Sequence, residues 1–567
     1  MAETPAIQPF TALGFLENRY HYYSFLLQKI VALTPREHQK ENLFNLAPLT
    51  YWKGAYPHGN KKGDVAWDVA VDALMQTCAA EGLFNPQNVI GRGIWLLDGK
   101  GVTHYGDLVL IDGKKYEPKK IPREIAKKKV FEIAESLHLG EPDGNADFTQ
   151  IEAMLKELRF QTPHAALLIA GAIVCAMAAG ALHWRPHTWI TGKSGSGKSA
   201  VMKIILLILG NCTEHYVGET TEAGIRQDLR HDCRAIVFDE AEPKSPAAIQ
   251  KINNVLNLLR QASSDETGKI AKGTVTGKGM NYKIRSCGFL ASVNSSLTEE
   301  PDRNRFQVLE MGEPMSKEDY DKWKFRAENI FTKGFQAALH NRISENIVTL
   351  AANAKTFASV LAERFKDNRA GDQYGTIFAG SYLLTSTEKV TKAMASDLMM
   401  GIKFPPEKQD SGVIPDCDYL WNYMLDRMIT FKKEQKSAQY GNVTIIPFER
   451  PLAELIDVAF GNHSPRNYAA GDAEKALSYR GIKAVVEDGK QYVAISTNHT
   501  GIEDLISRSR CSGLDWSPIL RRLEGAQVGE KPYRLGVRKT CSRVTLIPWD
   551  DGKSEQASQK VVTPLKA

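Results

Sequence analysis

The feature that most constrains this chain is the stretch from Thr188 to Ser199, in which an apolar run enters a glycine-rich loop closed by Gly197, Lys198 and Ser199. The segment behind it, Ala200 to Gly210, reads as a helix stopped by glycine. Strand, loop and helix follow one another with Gly192 and Gly197 at the spacing of a phosphate-binding P-loop. Glycines let successive backbone N–H groups turn toward one point. The helix start adds partial positive charge, Lys198 adds a full one, and the Ser199 hydroxyl suits Mg²⁺. The nucleotide-contacting set is therefore Gly192, Lys193, Ser194, Gly195, Ser196, Gly197, Lys198 and Ser199, with ATP and Mg²⁺ as cofactors.

A second acidic element completes such a site. The run Arg234 to Phe238 ends in Asp239 and Glu240, 41 residues after Lys198 at the aspartate. Asp239 is placed to hold Mg²⁺, and Glu240 to orient or deprotonate an attacking water. An adjacent acidic pair favours hydrolysis over phosphoryl transfer, because a kinase has no use for an activated water. The run Cys287 to Val293 ends in Asn294, a polar group suited to sensing the γ-phosphate. Arg305 stands at the start of the next apolar run, where it can reach a neighbouring subunit's nucleotide as an arginine finger, with Arg303 as the alternative. Arg369 is a candidate second phosphate sensor, with a salt bridge to Asp372 as the other reading.

The segment Lys269 to Arg285 reads as a hairpin turning at Thr276 to Gly279, with Lys272, Lys278 and Lys283 as candidate DNA contacts. A basic-tipped hairpin just before a core strand gives the phosphate chemistry something to move. Basic residues from Lys114 to Lys129 read as a charged connector or as a nucleic-acid backbone contact.

Composition limits the alternatives. With 567 residues, 43% hydrophobic and 24% charged, the chain reads as several soluble domains. Its net charge of +6 is mildly basic. Eight cysteines scattered singly give no zinc ribbon or disulfide framework, so a reduced, cytoplasmic protein without a secretory signal is expected. The apolar stretch Ala165 to Leu182 is rich in Ala and Gly and reads as a buried helix rather than a membrane span.

The expected fold class is α/β: a P-loop ATPase core with an α+β N-terminal region and a C-terminal winged-helix-like module. A helical N-terminal region is expected over 1–90, including amphipathic helices over 18–33 and 64–82 around a loop at Tyr51 to Pro57. Residues 91–160 read as a small β module with a linker helix, its hairpins marked by Asp98-Gly99 and Asp112-Gly113. The ATPase core with its helical extension spans 161–400, and 401–450 is read as a linker with a helix over 416–439. The winged-helix-like domain covers 451–550, and 551–567 is a polar tail.

The motifs from Gly192 to Ser199, Asp239-Glu240, the Lys278 hairpin, Asn294 and Arg305 stand in the order found in AAA+ helicases with a hairpin inserted before the first sensor. The stretch from Ala165 to Met311 resembles the helicase core of primase-helicases of phages, prophages and phage-satellite islands, similar in layout to superfamily-three viral helicases. The segments Asn368 to Gly380 and Arg92 to Asp107 also resemble that group. The resemblance implies a hexameric ring, hairpins lining a central pore, single-stranded and forked DNA as substrates, and a primase or initiator as partner. It departs from the pattern before residue 160, where no zinc-binding cysteines or catalytic carboxylate set stand for a primase. The expected function is thus an ATP-driven replicative DNA helicase. The alternatives are an origin-binding initiator or a ring ATPase that remodels proteins or serves a nuclease.

Overall fold

The computed structural model describes residues 9–549 except 62, 127, 218–219, 240–245, 265–282, 294–296, 298–304, 405–415, 437–442, 466, 510 and 537–539. The chain divides into two units, Met1–Lys408 and Gln409–Ala567.

The first unit is built on five parallel strands: β1 (His187–Thr191), β2 (Thr213–Val217), β3 (Ala235–Asp239), β4 (Gly288–Ser292) and β5 (Phe306–Glu310), in the order β2-β3-β4-β1-β5. Strands covered on both faces read as continuous apolar runs rather than alternating ones, and every residue of β1 and β4 is buried. Because β1 is flanked by β4 and β5 rather than by β2, the connections leave its C-terminal end facing an open crevice, where such sheets place ligands.

The apolar stretch ahead of the P-loop forms a helix, Ala165–Met177, with twelve of its thirteen residues buried. It is covered by the helix Asn368–Thr385 at backbone-to-backbone distance. A Cβ on Gly171 would lie 2.1 Å from the Ile377 carbonyl oxygen, and one on Gly380 would lie 2.3 Å from that of Gly171. Glycine at both positions is what lets two helices apolar on this face approach so closely. Among the described residues no helix is long and apolar enough to cross a membrane.

The N-terminal region differs from its expectation. Residues 18–33 are not a helix but two strands, Arg19–Ser24 and Lys29–Leu33, which join Phe10–Leu16 in an antiparallel sheet. The apolar spacing imitated a helix because a turn at residues 25–28 interrupts it, with Gln28 in left-handed conformation at φ 52°. The density of Tyr, Ile and Val was the better signal. The expected loop at Tyr51 is a short helix, Leu49–Ala55, and its Trp52 is fully buried under Phe10. The helix expected over 64–82 is present as Trp67–Glu81. The β module is a four-stranded meander of Gly93–Leu97, Lys100–His104, Val109–Ile111 and Lys114–Tyr116. Asp98, Gly99, Asp112 and Gly113 all take positive φ, as two-residue hairpins with primed turns require.

In the second unit the helix expected over 416–439 stops at Leu425, and Met428–Lys436 is a strand paired with Val443–Pro451. Alternation explains the switch: Ile429 and Phe431 are buried while Met428 is half exposed. Cys417, Leu420, Met424 and Ile429 share one apolar core with Leu455, Leu477, Ile495 and Ile547, so much of the expected linker belongs to this unit. A four-stranded sheet of Ile482–Glu487, Lys490–Ser496, Val544–Pro548 and Gln527–Val528 packs with the helices Leu452–Phe460 and Ala470–Tyr479. A separate short ladder pairs Tyr533–Leu535 with Thr540–Ser542.

Candidate nucleotide site

The loop from Gly192 to Gly197 leaves the C-terminal end of β1 and opens the helix Lys198–Leu209. Gly192, Gly195 and Gly197 take φ of 152°, 78° and 100°. At Gly192 the conformation is matched by crowding, because a Cβ there would lie 2.7 Å from Ser196 Oγ and 2.9 Å from Met311 Cβ. The turn is closed by the Ser196 N–H donating to the Lys193 carbonyl at 3.1 Å. Lys198 Nζ donates to the carbonyl oxygens of Gly192 and Lys193 at 2.7 and 3.0 Å, which holds its charge inside the loop. First-turn N–H groups of the helix lack intrahelical partners, so the loop is an anion receptor by construction.

A cavity of about 660 Å³ opens over this loop. It is lined by Ser194 to Ala200, by Asp239 at the end of β3, and by Ser292 and Val293 at the end of β4. Ser292 is fixed by the Trp189 indole N–H, which donates to its hydroxyl at 2.7 Å. Ser199 and Asp239 thus face one space and offer two oxygen donors. That is what Mg²⁺ takes from protein when phosphates and waters complete its shell, and the donor set fits the metal.

Five more residues line the same cavity and were not read from the sequence: Leu158, Pro314, Met315, Lys317 and Tyr320. They come from the turn after the helix Thr149–Lys156 and from the approach to and start of the helix Lys317–Ile330, whose first turn is capped by Ser316. They give the cavity an apolar flank with one lysine, suited to a flat ring beside the phosphates. No spacing rule ties residue 158 to residue 320, so only the tertiary fold could reveal them.

Two of the expected arginines stand at the other end of the sheet. Arg305 directly precedes β5, and its carbonyl accepts the His187 N–H at the first residue of β1. Arg369 is exposed in the first turn of the helix Asn368–Thr385. That turn is pinned to the same end: Asp372 meets His183 at 3.2 Å, and Gln373 donates to the His187 carbonyl at 3.1 Å. The structure therefore does not bring Arg305 or Arg369 to the phosphate loop of their own chain. β1 separates them from it by about 13 Å, four steps at ~3.3 Å each. Asp372 pairs with His183, and the Arg369 backbone N–H is capped by Asp367. Lys283 lies five residues before β4, on the side where that strand begins. Glu240, Asn294, Arg303, Lys272 and Lys278 lie outside the described residues.

His187, the first residue of β1, lies at the arginine end. Its Nε2 donates to the Leu259 carbonyl at 2.7 Å and its Nδ1 accepts the Gly288 N–H at 2.9 Å. That pattern belongs to a neutral ring. Burial pushes its pKa down to about 3, with the Arg185 and Arg305 cations acting in the same direction.

The meander is anchored to the core by a charge network. Arg92 binds Asp232 through both its backbone N–H and its guanidinium at 2.7 Å, and Asp232 also binds Arg234 at 3.0 Å. Arg234 in turn reaches Glu214 in β2. Gly93 presses on Cys233, whose Sγ would lie 2.1 Å from a Cβ there. The segment from Arg92 onward thus serves to dock the module.

Together, the sheet order, the glycine loop and the acidic strand end define a P-loop-like core. No family model matches the chain and no curated protein matches it. Among solved structures it is similar to one described as SCCmec type IV Cch, active helicase, at 11% identity, covering 95% of this chain and 92% of that one, with a TM-score of 0.49. It is also similar to two apo structures of the NrS-1 C-terminal region, at 12% and 13% identity. Both cover 77% of this chain, and 96% and 95% of theirs, with TM-scores of 0.28 and 0.26.

Proposed function

We propose that the chain is an ATP-driven DNA helicase of the AAA+ type, working in replication of a phage or other mobile element as a six-membered ring on one strand of a fork. The observation that carries the reading is the division of charge between the two ends of one sheet. The phosphate loop and Asp239 lie at the C-terminal strand ends, while Arg305 and Arg369 lie at the N-terminal ends. A head-to-tail ring sets one end against the other, so each complete site is built from two copies.

In this reading Lys198 and the loop N–H groups hold the β- and γ-phosphates. Ser199 and Asp239 hold Mg²⁺, which supplies positive charge to the phosphoryl oxygens when bound. Glu240 and Asn294 orient the attacking water. Arg305 of the adjoining copy, with Arg303 as its alternative and Arg369 as a second cation, meets the charge that develops in the transition state. The hairpin bearing Lys272, Lys278 and Lys283 grips DNA phosphates, and the second unit acts as a winged-helix-like duplex contact. A Glu240→Gln protein should bind ATP, lose turnover and fail to displace a strand from forked DNA. Wild-type hydrolysis by that variant would remove Glu240 from the site.

A further inference from the structure

A second concavity lies far from the phosphate loop in sequence, between the N-terminal sheet and the segment that follows the meander. Its volume is about 190 Å³. Phe84 and Phe131 form an apolar floor, and the backbone there is fixed by the Tyr23 hydroxyl, which donates to the Phe131 carbonyl at 3.0 Å. Phe25, half-buried, stands at the wall. Leu83 lines the same space although 75% of its surface faces solvent. The rim carries Lys119, Lys128 and Lys129 with Glu81, and Lys119 also meets the Glu117 carboxylate at 3.5 Å. Lys129 is steered by Asn88, whose side-chain oxygen accepts from its Nζ at 3.3 Å.

Charge says what this rim is for. The sixteen residues from Lys114 to Lys129 contain eight cations and two acids, a net of +6. The formal charge of the whole chain is also +6. The rest of the protein is therefore neutral on balance, and its entire excess is gathered in the segment that borders this cavity. Cationic surface at that density, beside an exposed leucine and a half-buried phenylalanine, fits a polyanion that also carries flat rings. The cavity is smaller than the ~300–1,000 Å³ of a pocket for a whole small ligand. It suits one ring presented by a longer chain whose phosphates run along the lysines.

We propose that this groove binds single-stranded nucleic acid, with one base against Phe84 and Phe25 and the adjoining phosphates on Lys119, Lys128 and Lys129. It stands independently of the ATP site and of the helicase reading.

The test uses the full chain. Oligo(dT) bearing 4-thiothymidine is photocrosslinked and the modified peptides are mapped, in parallel with oligo(U) to separate DNA from RNA as the source. Crosslinks within 9–33, 81–90 or 118–131 are expected, and they should persist in a Lys278→Ala protein. Crosslinks only elsewhere would overturn the proposal. In the Lys278→Ala background, replacing Lys119, Lys128 and Lys129 by Ala should flatten the slope of log affinity against log salt by about 2, at ~0.7 per contact, a loss of roughly 100-fold at 0.1 M salt. Phe25→Ala should weaken binding about tenfold. An unchanged slope would overturn the proposal. So would capture of an acidic peptide, lost in the triple variant, by a protein that fails to bind oligonucleotide. A chain that crosslinks here yet does not unwind forks would retain the groove and defeat only the helicase reading.

Discussion

Two inactive variants should restore each other. Lys198→Ala removes the phosphate-loop cation but leaves the N-terminal ends of the strands intact. Arg305→Ala does the reverse. The side chain of Arg305 starts about 13 Å of strand away from its own loop, with a filled sheet between, so it cannot serve that loop. Removing a finger of this kind lowers turnover by ~10³–10⁵, about 4–7 kcal/mol of barrier, so each variant alone should be nearly silent. In an equimolar mixture each interface has four equally frequent arrangements. One of them joins an Arg305→Ala loop to a Lys198→Ala arginine edge and is complete. ATPase measured by phosphate release should therefore rise to at most about 25% of wild type. A Lys198→Ala and Arg369→Ala mixture tests whether the second arginine works from the same edge. A mixture of the first pair that stays silent, or an Arg305→Ala protein that hydrolyses normally alone, would refute the shared-site reasoning.

Other expectations follow from packing and burial. Arg92→Ala removes a largely buried partner of Asp232, which keeps Arg234. The cost should be about 2–3 kcal/mol, seen as an earlier first melting transition, with ATP binding retained; unchanged melting would detach the meander from the core's stability. Burial pushes the pKa of His340 down to about 4, below the ~6.5 of an unfolded histidine. Its contribution is complete above pH 6.5 and is lost as pH falls toward 4, at about 1.4 kcal/mol per pH unit. A His340→Leu protein should therefore show a shallower decline in stability across that window in denaturant titrations, and an equal slope would contradict the assignment.

The phosphate loop, the acidic strand end and the buried Ala/Gly helix could be read from the sequence because each is a local pattern. Glycine positions, charge at a strand end and unbroken apolarity need no knowledge of distant partners. The Asp-Gly hairpins were legible for the same reason. The strands over 19–33 were not, because a turn broke their alternation into something of helical spacing. Nor was the break at Leu425, where residues 426–427 divide a helix from a strand with no proline or glycine to mark it. Leu158 and Tyr320 share a cavity only because two helices converge on it. Arg369 shows the converse limit. Its sequence context fits a phosphate sensor, but the hydrogen bond between Asp372 and His183 ties it to the end of the sheet away from its own loop.

The contact between Gly171 and Gly380 has a consequence for assembly. The helix Asn368–Thr385 runs the depth of the core, from the end bearing Arg369 toward the end bearing the phosphate loop. Its seat is set by two residues with no side chain, so it cannot settle closer and has no soft atoms to absorb an added methyl group. The two glycines act as a depth gauge for the subunit. In the proposed ring they set how far each copy's arginine edge projects toward its neighbour. A substitution there would push this helix off its seat and carry the turn that bears Arg369 with it.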